Sequence, residues 1–232
     1  MTTTFAEIIR KFTGSDFSEL PETALNRFRE MFGNLFSDIG YVRDGIHPFN
    51  SIIEWMARFQ IATITEKLVN QTEDEDFISL YGQEIKGKKF RLPKGLMLSG
   101  GYGTGKTLAA RIIAERFGLE MIDTYKISFQ YQKKDGNDWI EKWLYSNCKN
   151  AVIIDDVGAE GDIKKFGNES PIGAILATRA RFWEQYGTPT IYTTNITTAE
   201  ELASKYSSDK RLMGRLDAYH VAVKFSGASR RK

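Results

Sequence analysis

The sequence predicts an α/β fold: a five-stranded parallel sheet flanked by helices, preceded by a small helical N-terminal segment. From Gly95 onward, short apolar strands alternate with amphipathic helices, and that alternation requires crossover connections between parallel strands. The first ninety residues instead read as helices joined by loops. Because ligands of open parallel sheets bind beyond the carboxyl ends of the strands, functional residues are expected at that edge.

The composition bounds the protein class. Of the 232 residues, 41% are hydrophobic and 27% are charged, which excludes disordered and collagen-like chains. No apolar run approaches the about 20 residues needed to cross a bilayer, and Glu7 and Arg10 interrupt any signal peptide. We therefore expect a cytoplasmic protein with no membrane partner. The single cysteine, Cys148, excludes an internal disulfide, and only two histidines argue against a histidine-rich metal site.

Charge is distributed unevenly along the chain, although the net charge is only +2. Residues 1–90 carry 10 basic and 14 acidic side chains, whereas the segment from Lys205 to the end carries 8 basic and 2 acidic ones. A basic region of this kind indicates a polyanionic partner such as nucleic acid. A solvated tail is the alternative interpretation.

The N-terminal segment, residues 1–75, is predicted to contain three helices. The residues that open them are Thr4, Pro21 and Ser51. Glu7 and Glu54 lie at capping-box spacing from the first and third of these residues. The third helix carries an apolar stripe and ends near Gln71, ahead of the acidic run 73–76. That run lacks the spacing of a calcium loop and favours a solvated connection.

Residues 76–232 are predicted to form one α/β domain. The strand candidates are Gly95–Leu98, Leu119–Asp123, Ala151–Asp155, Thr190–Thr194 and His220–Phe225. Helices are predicted over Lys106–Phe117, Asn137–Tyr145 and Pro171–Tyr186, with a short helix opened by Thr198. Ser170 is the expected N-cap of the helix that begins with Pro171, and Gly187 closes that helix.

A glycine-rich segment between the first strand and the following helix satisfies the phosphate-loop pattern at every fixed position. Its residues are Gly100, Gly101, Tyr102, Gly103, Thr104, Gly105, Lys106 and Thr107. The glycines let several N–H groups point inward, and the following helix adds the positive end of its dipole. Lys106 is expected to neutralise the β- and γ-phosphates of a triphosphate, and the Thr107 hydroxyl to ligate Mg²⁺.

Two aspartates and one asparagine stand at the ends of later strands. Asp155 and Asp156 end a strand that is expected to neighbour the first one. Asp155 would hold Mg²⁺ through water, and Asp156 would orient or polarise the attacking water. Asn195 follows the next strand, where its amide could hold the same water against the γ-phosphate. An asparagine there is usually a turn former, but the order of the three elements favours a catalytic role.

These segments resemble the DnaC/IstB-like branch of the AAA+ ATPases, the bacterial helicase loaders and transposition-helper ATPases. The resemblance covers about Lys94 to the C-terminus and rests on Gly100–Thr107, Ile153–Glu160, Pro189–Asn195 and Arg211–Leu216. It implies a P-loop ATPase core that uses ATP and Mg²⁺ in DNA replication or transposition and forms a homo-oligomer on ATP binding. The implied partners are a replicative helicase or a transposase, together with single-stranded or double-stranded DNA.

The resemblance also implies roles for single residues. Asn195 takes the sensor 1 place, and Arg215 takes the place of the arginine finger that reaches the nucleotide of an adjacent subunit. Arg231 falls in the sensor 2 segment, near the γ-phosphate of its own subunit. Arg211 remains an alternative finger, and Arg230 remains an alternative to Arg231.

Three features depart from the family's pattern. The loop has Gly101 and Tyr102 where two prolines are more common, so Tyr102 either touches the nucleotide or packs nearby. Asp156 replaces the more common glutamate, and its shorter side chain predicts slow intrinsic hydrolysis. The chain ends at the sensor 2 segment, so no C-terminal lid domain is expected.

Two other functions are compatible with a phosphate loop. One is a non-enzymatic adaptor, in which ATP binding only orders a partner surface. The other is a small-molecule kinase, which would need a second-substrate pocket that the sequence does not reveal. The N-terminal segment matches no named motif, and its acidic balance slightly favours a protein client.

Overall fold

The structure is a computed structural model that describes residues 22–38, 47–70, 92–160, 171–206 and 210–226. The chain divides into two compact units between Pro93 and Lys94. The sequence predictions that fall outside the described residues are the helix near Thr4, the opening of the second helix at Pro21, the acidic run 73–76, the Ser170 cap and the sensor 2 candidates Arg230 and Arg231. The predicted division between residues 75 and 76 stays a prediction. Within the described ranges, no helix is long and apolar enough to span a membrane.

The described part of the first unit is a pair of helices, α1 (Glu22–Asp38) and α2 (His47–Asn70). Their interface is aromatic, with the ring centroids of Phe36 and Phe49 5.4 Å apart. Helix α2 begins at His47, so the predicted helix start at Ser51 is wrong. The proline in the first turn is Pro48. It suits this earlier start, because the N–H that proline lacks is not needed there.

A buried carboxylate also joins the two helices. Glu54 accepts a hydrogen bond from Arg29 Nε of α1 at 2.7 Å and one from Arg58 Nε at 2.6 Å. Burial lowers the pKa of Arg58, and the neighbouring Glu54 carboxylate acts in the opposite direction. The pairing therefore keeps charged groups inside an otherwise apolar contact.

The second unit contains a five-stranded parallel sheet, which confirms the predicted fold class. The strands are β1 (Gly95–Gly100), β2 (Glu120–Asp123), β3 (Val152–Val157), β4 (Thr190–Thr194) and β5 (His220–Phe225). The flanking helices are α3 (Lys106–Phe117), α4 (Thr124–Tyr131), α5 (Gly136–Ser146), α6 (Pro171–Tyr186), α7 (Ala199–Tyr206) and α8 (Lys210–Tyr219). Helices α4 and α8 are additions to the elements that the sequence predicts.

The strand order is β2-β3-β4-β1-β5. Ile191 of β4 pairs with Ile153 of β3 on one side and with Leu96 of β1 on the other. The expectation that the aspartate-bearing strand neighbours β1 is therefore wrong, because β4 lies between them. This order places the residues that end β4 between the phosphate loop and the paired aspartates.

Burial follows position in the sheet. Strands β1 and β4 are buried along their whole length, as expected for parallel strands covered on both faces. The edge strand β5 alternates instead: Val221, Val223 and Phe225 are buried, while Ala222 and Lys224 are exposed. The central strands thus fix the main chain on which the functional residues stand.

The amino edge of the sheet is held by a buried arginine of α6. Arg179 is 1% exposed and donates to the carbonyls of Asn147, Asn150 and Pro189 at 2.7, 2.9 and 3.3 Å. A further bond joins its Nε to Thr190 Oγ1 at 2.9 Å. Burial lowers the pKa of this guanidinium to about 10.

Candidate functional site

Glycines at positive φ shape the loop between β1 and α3. Gly100, Gly103 and Gly105 have φ values of 147°, 72° and 102°, a region that residues with a Cβ rarely adopt. At Gly100 space is limiting as well, because a Cβ there would lie 2.2 Å from the Phe225 carbonyl oxygen. Gly105 is the N-cap of α3 and has no side chain to bond the first N–H groups of the helix, so the N-cap does not compete with an anion there.

Lys106 turns back into the loop that precedes it. Its ammonium donates to the carbonyl oxygens of Gly100 and Gly101 at 2.8 and 2.7 Å, and to Asn195 Oδ1 at 3.0 Å. The residue is only 5% exposed. The structure therefore brings the loop lysine and the strand-end asparagine together, across 89 residues of sequence.

Asp155 connects α3 to the end of β4. Its Oδ1 accepts a hydrogen bond from Thr107 Oγ1 at 3.1 Å and another from Thr193 Oγ1 at 2.6 Å. Hydroxyl and carboxylate oxygens are ligands that suit Mg²⁺, which takes its remaining ligands from water and substrate phosphates. Thr107 and Asp155 together therefore fit a magnesium ion.

Asp156 has an unusual main-chain conformation. Its φ is +57°, a left-handed region uncommon for residues other than glycine. Three hydrogen bonds hold it: the Asp156 N–H donates to Thr193 Oγ1 at 2.9 Å, while its carbonyl accepts from Thr124 Oγ1 at 2.9 Å and from the Ala159 N–H at 3.0 Å. The pairing of β3 with β4 shifts register between Ile154 and Val157. The irregularity of β3 thus coincides with the second of the two adjacent aspartates.

Tyr102 lies at the tip of the loop, and its side chain is 74% exposed. Whether Tyr102 touches a bound nucleotide or packs near it stays a prediction.

The arginine-finger candidates lie on α8. Arg215 Nε is 3.3 Å from Glu184 Oε1 of α6, and Tyr219 donates to the same oxygen at 2.9 Å. Arg211 is exposed in the first turn of α8. Since α8 ends where β5 begins, Arg215 lies nearer the amino edge than Arg211 does. The structure does not bring Arg215 to the phosphate loop of its own chain.

Sequence reasoning missed three residues that support the site. Thr193 bridges Asp155 and Asp156, Thr124 holds the Asp156 carbonyl, and Glu160 is buried in the segment that follows β3. Threonine is common in strands for packing reasons alone, so residue type gave no signal at position 193. Only the strand order places it beside the aspartates.

Comparison with known proteins locates this fold among solved structures. No family model matches the sequence, and no curated protein matches it. The crystal structure of DnaI is similar to this one with a TM-score of 0.51 and 20% sequence identity, over 83% of this chain and 89% of that one. This likeness supports the predicted fold and the resemblance to DnaC-like proteins at the level of the fold.

Two weaker structural matches were also found. A putative primosome component from Streptococcus pyogenes serotype M3 is 22% identical with a TM-score of 0.40, over 73% of this chain and 81% of that one. The DnaC helicase loader is 18% identical with a TM-score of 0.42, over 57% of this chain and 78% of that one.

Proposed function

We propose that this chain is an AAA+ ATPase that binds ATP with Mg²⁺, hydrolyses it, and acts in DNA replication or transposition. The observation that carries the proposal is the Lys106 ammonium, which lies inside the loop 2.7 Å from the Gly101 carbonyl oxygen and 3.0 Å from Asn195 Oδ1. A cation placed there, beside a glycine-rich loop and a helix N-terminus, fits the β- and γ-phosphates of a nucleotide.

Four polar side chains at the carboxyl edge are each assigned one role in the reaction. Thr107 and Asp155 hold Mg²⁺, which when bound stabilises charge on the phosphate oxygens as a Lewis acid. Asp156 orients the attacking water and accepts its proton, while Asn195 holds that water in line. Water adds to the γ-phosphorus as the bond to the bridging oxygen breaks, which yields ADP and phosphate.

The substitution Asp156→Asn tests this assignment. ATP binding measured by calorimetry should persist, whereas steady-state phosphate release should fall by about 10²-fold or more, because the water loses its base. Asp135→Asn is the matched control, since Asp135 is exposed and makes no side-chain capping bond. The ATP-binding adaptor would be favoured if the wild-type chain hydrolyses no ATP and Asp156→Asn still supports replication or transposition as the wild type does.

Arg215 is proposed to serve a neighbouring subunit. A finger supplied in trans stabilises charge on the transferring phosphoryl group only after assembly. Arg215→Ala should leave ATP affinity nearly unchanged and lower hydrolysis in the assembled state by as much as about 10³-fold. Unchanged turnover in the assembled variant would move the role to Arg211.

We place single-stranded DNA on the exposed face of α4. Tyr125 and Phe129 are 60% and 63% exposed and share one side of the helix by their spacing. The Lys133 ammonium lies 4.9 Å from the centroid of the Phe129 ring. Aromatic rings beside lysines suit unpaired nucleotides, because bases stack on the rings and ammonium groups neutralise phosphates. Helix α4 starts where β2 ends, so the Tyr125 end of this face is the end nearer the carboxyl edge of the sheet.

Fluorescence anisotropy with a labelled oligo(dT), at low salt and with or without a non-hydrolysable ATP analogue, tests the DNA contact. Phe129→Ala should weaken binding by about tenfold, as expected for the loss of one stacking ring. Tyr186→Ala is the matched control: this exposed aromatic residue also has a lysine over its ring, Lys149 at 6.0 Å, but it stands at the far end of α6. No affinity in either nucleotide condition would remove DNA from the proposal.

The client is proposed to be a replicative helicase or a transposase, contacted by the N-terminal segment. This part of the proposal rests on the sequence resemblance and on the acidic balance of residues 1–90. Size-exclusion chromatography of the full chain with each purified candidate, in the presence of ATP, should give a complex with one of them. Separate elution from both would contradict this assignment.

A further inference from the structure

The segment that follows β3 is tied to the end of α7 by a buried carboxylate. Glu160 is 6% exposed, and both of its oxygens accept hydrogen bonds. One bond comes from the Gly158 N–H at 3.0 Å and the other from the Tyr206 hydroxyl. The neighbouring Lys205 adds a second tie, because its ammonium donates to the Gly158 carbonyl at 2.7 Å. Two consecutive residues of α7 therefore hold one turn of main chain.

The packing around this tie is close on both sides. Gly158 has a φ of +95°, and a Cβ there would lie 2.8 Å from Ile196 Cδ1, next to Asn195. On the other side, a Cβ at Gly173 of α6 would lie 2.9 Å from Tyr206 Cβ. The turn after β3 is thus enclosed between α7 and the turn after β4.

Asp156 stands directly upstream of this turn and depends on it. The Ala159 N–H donates to the Asp156 carbonyl at 3.0 Å, so the placement of residues 158–160 bears on the left-handed main chain of Asp156. We propose that Glu160 and Tyr206 are positioning residues that hold Asp156 in the orientation required to activate water. The proposal rests on the ATPase function proposed above, and it assigns the control of turnover to a contact outside the phosphate loop.

The state of the tyrosine agrees with this role. Burial, followed by the hydrogen bond to Glu160, raises the pKa of Tyr206 well above its ordinary value. The hydroxyl therefore remains a donor across the pH range in which an ATPase is assayed, and the tie is held by a neutral donor and a carboxylate acceptor.

Helix α7 also connects the turn to the finger candidates. Leu202 of α7 shares one buried cluster with Leu212 and Leu216 of α8, and α8 carries Arg211 and Arg215. The contact made by Tyr206 thus lies between the water-activating aspartate and the helix that is proposed to reach an adjacent subunit.

The central experiment compares Tyr206→Phe with Tyr186→Phe. Tyr186 is an exposed tyrosine at the end of α6, so its variant controls for loss of a hydroxyl. In Tyr206→Phe, kcat should fall by about tenfold, a typical effect within one hydrogen-bond network. The KM for ATP should stay within about twofold of wild type, because the phosphate loop is untouched. Equal kcat values in the two variants would overturn the proposal.

A double-mutant cycle tests the pair directly. Glu160→Gln removes one acceptor oxygen and should lower kcat in the same direction. The double variant Glu160→Gln/Tyr206→Phe should be no slower than the slower single variant, because both changes break the same tie. Fully multiplicative losses would show that the two residues act separately and would contradict the proposal.

Two further measurements keep the test decisive. Lys205→Met changes an exposed residue and leaves the core intact, and it should lower kcat by a smaller factor, with Lys142→Met on exposed α5 surface as its control. Hydrogen exchange of the ligand-free chain should show faster exchange at Gly158 and Ala159 in Tyr206→Phe, and unchanged exchange there would overturn the tie. If the wild-type chain hydrolyses no ATP, the proposed function fails, while the exchange experiment still decides the contact.

Discussion

The two edges of the sheet both bury polar side chains, and they differ in what those side chains contact. At the carboxyl edge, the charged groups of Lys106 and Asp155 contact one amide, two hydroxyls and two main-chain carbonyls, contributed by α3 and by the ends of β1 and β4. At the amino edge, the described hydrogen bonds of Arg179 go to main-chain carbonyls and one hydroxyl.

The difference distinguishes a candidate functional site from a contact that only stabilises the fold. Groups at the carboxyl edge lie beside a loop of positive-φ glycines and include an aspartate in a left-handed conformation. Such conformations persist only where the surroundings hold them, and they concentrate at functional sites. Arg179 instead is a buried guanidinium whose donors are used on main-chain carbonyls and one hydroxyl at the amino ends of β3 and β4. Substitutions at the two edges should therefore affect different measurements.

The largest expected effect on stability lies at the amino edge. Arg179→Ala should lower the free energy of unfolding by about 3 kcal/mol or more, because a buried side chain that donates four hydrogen bonds is lost. Denaturant unfolding measures this change. Arg181→Ala, two residues along the same helix and exposed, should stay within about 0.5 kcal/mol of wild type. A large drop in kcat for the Arg179 variant would contradict the assignment of stability to the amino edge and turnover to the carboxyl edge.

The next effect lies at the carboxyl edge and should appear in turnover. Thr193→Val keeps the side-chain shape but removes the hydroxyl that donates to Asp155 and accepts from the Asp156 N–H. ATP turnover should fall by about 10- to 100-fold, as for other groups that orient metal ligands. Thr193→Ser retains the hydroxyl and should recover most of the rate. Equal turnover of the valine and serine variants would remove Thr193 from the site.

The smallest effect, taken per pH unit, is a dependence of stability on pH at the amino edge. The His220 ring packs edge-on against Tyr192, with the two ring centroids 4.8 Å apart. Burial lowers the pKa of His220 to about 4, and the charges of Arg179 and Lys94 make smaller contributions in the same direction. The unfolded chain binds a proton at this histidine near its ordinary pKa of about 6.5, so the unfolded state binds more protons between these values. The free energy of unfolding should therefore fall as pH falls through this window, by at most about 1.4 kcal/mol per pH unit.

Chemical denaturation at several pH values measures this slope, with His220→Gln for comparison. The glutamine variant has no group that titrates there, so its slope should be shallower than that of wild type. Identical slopes would assign the acid sensitivity to other groups.

The sequence predicted the parts of the molecule that are specified locally. The loop from Gly100 to Thr107 lies in a contiguous strand-loop-helix pattern, so its position followed from spacing alone. Helices α3 and α6 have clear terminal residues and begin and end where predicted.

Features created by the tertiary structure could not be predicted in this way. Strand order decides that β4 lies between β1 and β3, and hence that Thr193 meets both aspartates. Helix α4 was missed because Tyr125 and Phe129 are exposed and break the usual apolar stripe. Glu160 follows a strand as many surface glutamates do, and only the fold buries it against Tyr206.

Calorimetry with Mg-ATP on the folded chain tests the central claim most directly. We expect one saturable binding event per chain, lost in Lys106→Ala while the thermal unfolding of the ligand-free variant stays close to that of wild type. No heat of binding with either adenine or guanine triphosphates would contradict the assignment of the loop from Gly100 to Thr107 as a nucleotide site.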